Sequence, residues 1–134
     1  DMFQASRSIE HDFSTKPLEA LLAANRGYLT HYHENRDVLR ALIEAGTVDN
    51  RFRDVWWQMR NRHVDRFVHA LKKSHKIESV NGVPARLVVE SMASLVEQSA
   101  YTWFAQEELN ANPITVEVAA QVLSRIWYRT FFNQ

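Results

Sequence analysis

An all-α fold, a helical bundle gathered around one long central helix, is the architecture that this sequence predicts. Three observations predict it. Only three Gly and three Pro interrupt 134 residues, and most fall where helix ends belong. No segment alternates apolar and polar residues with the period of a strand. The stretch Arg51–His75 carries neither Gly nor Pro and is apolar well beyond one stripe. At about 100° per residue, Phe52, Val55, Trp56, Met59, His63, Phe67 and Ala70 share one arc. Trp57, Val64, Val68 and Leu71 widen it to roughly 220°. A surface helix usually buries a stripe of roughly 100°. This one is therefore expected to be covered on two or three sides, as a central post.

The other elements follow in chain order. Residues 1–13 have weak periodicity through Phe3, Ile9 and Phe13, the tail of a helix that began earlier. Ser14 or Thr15 with Pro17 reads as a helix start, because Pro suits the first turn and a hydroxyl can cap it. The helix over about 17–33 puts Leu18, Leu21, Leu22, Asn25, Tyr28, Leu29 and Tyr32 on one face. Asn35 caps a short helix with Val38, Leu39, Leu42 and Ile43 inward and Gly46 as its stop. Asp49 caps the central helix. The Asn81–Gly82 pair makes a turn in 78–84. A long helix runs from Pro84 to about Glu108 and is rich in small residues, among them Ala85, Ser91, Ala93, Ser94, Ser99, Ala100 and Ala105. Small side chains let helices approach closely. Thr115 with Glu117 starts the last helix, whose inward set is Ala119, Val122, Leu123, Ile126, Trp127 and Phe131.

Composition bounds the function. The length fits one domain, 1–134, with a proper core. Formal net charge is zero, so no global field draws the chain to nucleic acid or membrane. Residues 51–76 are locally basic, with eight Lys or Arg against two Asp, and read as a solvated face pairing with acidic neighbours. Without cysteine there is no disulfide framework, thiolate nucleophile or Cys-based zinc site, which suits a cytoplasmic protein. No apolar run approaches the roughly 18 residues of a membrane span.

Six histidines raise the question of metal. Di-iron bundles use Glu-x-x-His, because i and i+3 share a helical face. No Glu here has a His three residues on; the reversed order occurs at His31/Glu34 and His75/Glu78, near helix ends and unrepeated. No metal site and no cofactor is expected. There is also no Gly-x-Ser-x-Gly elbow and no Gly-rich phosphate loop, so the chain does not read as an enzyme.

Polar residues set in apolar arcs are the remaining signal. They are Asn25, His63, Arg60, and the pair Glu90 and Glu97 seven apart. One reading has core groups satisfying one another, for instance Arg60 with Glu97, because buried charges need partners. The other is a mostly apolar cavity with a few placed hydrogen-bonding groups. Tyr28, Tyr32, Trp56, Met59, Phe67, Met92 and Trp103 could converge around the central helix. Both readings stand at this level.

Four stretches together resemble the C-terminal regulatory domain of TetR/AcrR-type transcriptional repressors. They are PLEALLAANRGYLTHYHENRDVLRALIEAG, DNRFRDVWWQMRNRHVDRFVHAL, ARLVVESMASLVEQSAYTWF and VEVAAQVLSRIWYRTFF, the last with Ile126-Trp127-Tyr128-Arg129. The resemblance covers nearly everything from Pro17 to Phe132, and it rests on order and combination, not on one motif. It implies a homodimer formed by the last two helices, with Ala93, Ala100, Phe104, Leu123, Trp127 and Phe131 as interface candidates. It also implies a ligand cavity lined by Asn25, Tyr28, Tyr32, Trp56, Met59, Arg60, His63, Phe67, Met92, Val96, Ser99 and Trp103. The effector would be small and largely apolar or aromatic, with Arg60 leaving room for an acidic one. The family's helix-turn-helix domain has no counterpart here, and residues 1–15 read as the tail of the inter-domain helix. Operator DNA would be reached only through that missing part. The alternative is a homodimerisation module with a filled core and no ligand.

Overall fold

The computed structural model describes residues 13–132. Its elements are α1 (Pro17–Glu34), α2 (Arg36–Gly46), α3 (Asn50–His75), β1 (Ser79–Val80), β2 (Val83–Pro84), α4 (Ala85–Ala100) and α5 (Val116–Phe132). A π-helical turn, Tyr101–Ala105, and a 3-10 turn, Glu107–Leu109, follow α4. The all-α architecture holds, with one two-residue hairpin as the exception. There Asn81 and Gly82 adopt φ of 51° and 81°, the left-handed pair that a tight hairpin turn requires. Residues 1–12, where the inter-domain helix is expected, lie outside the described residues.

Local chemistry sets the helix ends. Pro17 opens α1, where its missing N–H costs nothing. Asp49 caps α3 by accepting from the Arg51 N–H at 2.9 Å. Asn35 behaves differently from expectation. Its amide donates to the His31 carbonyl at 2.9 Å, so it closes the end of α1 and does not cap α2. Thr115 Oγ1 accepts from the Val118 N–H and starts α5.

The core is built on an antiparallel seam between α1 and α5. Phe13 meets Phe132 with ring centroids 5.8 Å apart, Asn25 Nδ2 donates to Ser124 Oγ at 2.9 Å, and Arg26 pairs with Glu117 at 2.7 Å. The chain thus climbs on one side as it descends on the other. Ala20, Ala119, Ala120 and Ser124 are all buried there, and their small size allows the close approach. The tight small-residue seam predicted for α4 is thus found between α1 and α5. Ser91 and Ser94 of α4 lie exposed instead.

The C-terminal half of α3 completes the core. Val64 and Leu71 are buried, and Phe67 packs edge-on to Trp127 at 4.7 Å and beside Phe131 at 5.5 Å. The first half is not covered as expected. Residues 50–59 are exposed throughout, with Phe52, Val55, Trp56, Trp57 and Met59 between 42% and 60% accessible. The helix is a post only from Arg60 onward. In α2 the inward set is also corrected, because only Leu39 packs against the core while Val38, Leu42 and Ile43 stand in solvent. Val122 and Ile126 of α5 are likewise exposed.

What holds α2 is largely ionic. Arg36 meets Glu107 at 2.9 Å, and Arg40 donates to the Ala105 carbonyl at 2.8 Å. Pairs of this exposure are each worth about 0–1 kcal/mol, and no side chain of α2 is fully buried. Leu29→Ala, at a fully buried site of α1, is expected to cost about 3 kcal/mol in chemical denaturation. Ile43→Ala in α2 is expected to cost under about 1 kcal/mol.

Candidate functional site

The polar residues singled out in the sequence separate into three places. The first is the α1–α5 seam. Asn25 spends its amide on buried Ser124, so it faces away from any space between α1 and α3.

The second is a cluster where α3 and α4 meet. Arg60 lies almost wholly buried, its side chain 9% accessible, and contacts Glu97 at 3.2 Å. Its Nη2 also donates to the Glu90 carbonyl at 2.8 Å and to Ser94 Oγ at 2.7 Å. The guanidinium sits 5.7 Å from the Trp57 ring centroid, within cation–π range. The partnership of Arg60 with Glu97 is thus the one that burial of a charge demands. Burial raises the Glu97 carboxyl above its ordinary range, and Arg60 only partly offsets that.

Two tyrosines one helical turn apart on α1 feel the charge of Glu97. Tyr28 and Tyr32 have ring centroids 6.0 Å apart. Tyr28 is the outer one, 38% accessible, and Tyr32 is 5% accessible. The Tyr32 hydroxyl is fully buried and has no hydrogen-bond partner among the described residues. Burial, with smaller contributions from Tyr101 and Glu97, pushes the Tyr32 phenol up to about 12. Burial and Glu97 also push Tyr28 upward. The Tyr101 hydroxyl, by contrast, accepts from Gln106 Nε2 at 2.7 Å. It belongs to the π-helical turn, a departure from α geometry that often marks functional sites. No residue pattern in the sequence signals that turn.

The third place is the open flank of α3, where Met59, Arg62, His63 and Arg66 border a shallow surface cleft. Burial, then the charges of Arg66 and Arg62, lower the His63 pKa.

Of the expected lining residues, Tyr28 and Tyr32 adjoin each other on α1, and Arg60 joins Glu90, Ser94 and Glu97 of α4. Trp56, Met59 and His63 stand on the exposed part of α3. Phe67 and Val96 belong to the packed core, Phe67 through the aromatic group with Trp127 and Phe131. Met92 and Trp103 are half-buried against that core, and Ser99 is half-buried on α4. The interface candidates are mostly buried within the protomer. Ala100, Phe104, Leu123, Trp127 and Phe131 are between 0% and 9% accessible inside the protomer, and Ala93 packs against the same core. All of these except the half-buried Ala93 are enclosed by the single chain. The exposed apolar residues of the last helix are Val118, Val122 and Ile126, spaced by four and so on one stripe, with Leu87 exposed on α4. Among the described residues no group of His, Asp or Glu is arranged to hold a metal ion, and no helix is long and apolar enough to cross a membrane.

The buried phenol gives a stability test with a definite sign. A folded-state pKa raised above the ordinary value of 10 adds stability below pH 10 that is lost as pH rises towards about 12. Stability is expected to fall across that window, and Tyr32→Phe to flatten the fall in urea titrations at stepped pH. At neutral pH the same variant should be as stable as the parent or about 1 kcal/mol more so, because an unsatisfied buried hydroxyl is removed.

No curated protein and no solved structure matched the chain. Residues 17–129 match the family described as the tetracyclin repressor-like, C-terminal domain. That span runs from the first residue of α1 to the last turn of α5 and takes in the tyrosine cluster and the α5 stripe. The chain belongs to the tetracyclin repressor-like C-terminal domain family.

Proposed function

We propose that this chain is the effector-binding and dimerisation domain of a TetR-like transcriptional repressor, without enzymatic activity of its own and working in the cytoplasm. The observation that carries the reading is the family match over 17–129. Two local features support it. A polar cluster joins α3 and α4, and on α1 the buried Tyr32 hydroxyl has no hydrogen-bond partner among the described residues. An apolar stripe of Val118, Val122 and Ile126 remains uncovered on α5.

The effector is small and largely apolar, and it binds beside Tyr28 and Tyr32. Burial of its apolar surface supplies most of the affinity, at about 25 cal/mol per Å². Polar groups of the cluster fix its orientation. Two copies pair through α4 and α5 with the outward faces of these helices, Leu87 on one and the Val118–Ile126 stripe on the other. Operator DNA is read by a helix-turn-helix part of the full-length regulator. A dimeric reader needs fixed half-site spacing, so an effector that shifts the two halves lowers DNA affinity through one coupling free energy.

A second reading, a homodimerisation module without ligand, is favoured by the engagement of Asn25 with Ser124 and by the burial of Val96. The two readings part in a thermal-shift screen of apolar compounds. The effector reading expects at least one compound to raise the melting temperature by several degrees, with a smaller gain in Tyr28→Ala. The module reading expects no gain from any compound.

The pairing is tested separately. Val122→Arg places a charge in the middle of the α5 stripe without touching the buried core. Light scattering after gel filtration is expected to show a dimer for the parent and a monomer for the variant. A dimer in both would remove the stripe from the interface.

A further inference from the structure

We propose that the open flank of α3 holds a second ligand site, one that takes a carboxylate carrying an apolar chain. It is separate from the effector site beside the tyrosines and does not depend on it.

The cleft on that flank has a volume of about 240 Å³ and is lined by Met59, Arg62, His63 and Arg66. Spacings of three and four residues put these side chains on one face of the helix. Arg62 and Arg66 are both exposed and stand one helical turn apart. Neither makes an ion pair or a hydrogen bond among the described residues. The neighbouring carboxylate, Asp65, is taken by Arg86 of α4. Arg60 is spent on Glu90, Ser94 and Glu97. Two like charges one turn apart on a helix repel each other. An anion seated between them replaces that repulsion with two attractions, and the planar fork of a guanidinium matches a carboxylate.

The other two lining residues select the rest of the ligand. Burial and the charges of Arg66 and Arg62 keep His63 uncharged at neutral pH. Its ring therefore offers an N–H to the anion without adding a third positive charge. Met59, 46% accessible, forms the apolar end of the cleft, and Trp56, three residues earlier and 42% accessible, extends it. Both present apolar surface that water now covers, and a methionine adapts to the shape laid against it. Inorganic phosphate would use the arginines and leave this end wet. A carboxylate on an apolar chain uses both, and the two guanidinium charges select against an amine.

Three probes on one scaffold separate charge from apolar burial: 4-phenylbutyrate, 4-phenylbutanol and 4-phenylbutylammonium. Each is titrated at neutral pH into the chain, by calorimetry and by NMR of the His63 ring. The carboxylate is expected to shift the His63 signals and to bind about tenfold more tightly than the alcohol, the gain of one charge-assisted hydrogen bond. The ammonium and inorganic phosphate should be weakest. Arg62→Gln and Arg66→Gln lie at exposed positions that spare the core, so each should keep the fold and weaken the carboxylate several-fold. Tyr28→Ala should leave its affinity unchanged. Equal binding of carboxylate and alcohol, phosphate binding as tightly as the carboxylate, silent His63 signals, or full affinity in the Arg62→Gln/Arg66→Gln double variant would each overturn the proposal. A loss in Tyr28→Ala alone would move the carboxylate to the tyrosines and overturn it too.

Discussion

The antiparallel seam of α1 against α5 is the contact on which the rest of the molecule depends. It works because Ala20, Ala119, Ala120 and Ser124 give it almost no side-chain thickness. Asn25 and Ser124 then satisfy each other inside it, which sets the register of the two helices. With that register fixed, Leu29 and Tyr32 of α1 and Trp127 and Phe131 of α5 point into one shared core. The lower half of α3 closes it through Phe67. The upper half of α3 and all of α2 have no such seam to join, and they remain at the periphery.

That division gives the molecule a firm part and a loose part. Buried apolar area concentrates below Arg60, while α2 hangs on side-chain ion pairs to Glu107 and on the Ala105 carbonyl. Elements with few buried contacts open at low free energy. The Arg60–Glu97 cluster and the two tyrosines lie between these parts. A ligand that orders this border acts where the structure has least to lose by moving.

Much of the fold was legible because helix chemistry is local. Pro17, Asp49, Gly82 and Thr115 mark the breaks through backbone constraints that need no tertiary context. The Arg60–Glu97 pair could be anticipated because a charge on an apolar arc needs a partner. Which apolar residues are covered was harder to read. Val122 and Leu123 are both apolar, yet one is 43% and the other 1% accessible, because they lie about 100° apart on the helix and only one of those faces is covered. The same limit explains why Phe131 and Trp127 seemed fit for a partner subunit when the protomer uses them itself. The π-helical turn over Tyr101–Ala105 has no residue signature, and it places Tyr101 where Gln106 can reach it.

We propose that this domain is a dimer that holds a small molecule. Native mass spectrometry of the purified protein, run from gentle to activating conditions, addresses both parts at once. The expected species has twice the mass of the 15.7 kDa chain and carries a small additional mass that is shed on activation before the dimer separates. A chain that appears only as a monomer under the gentlest conditions would contradict it.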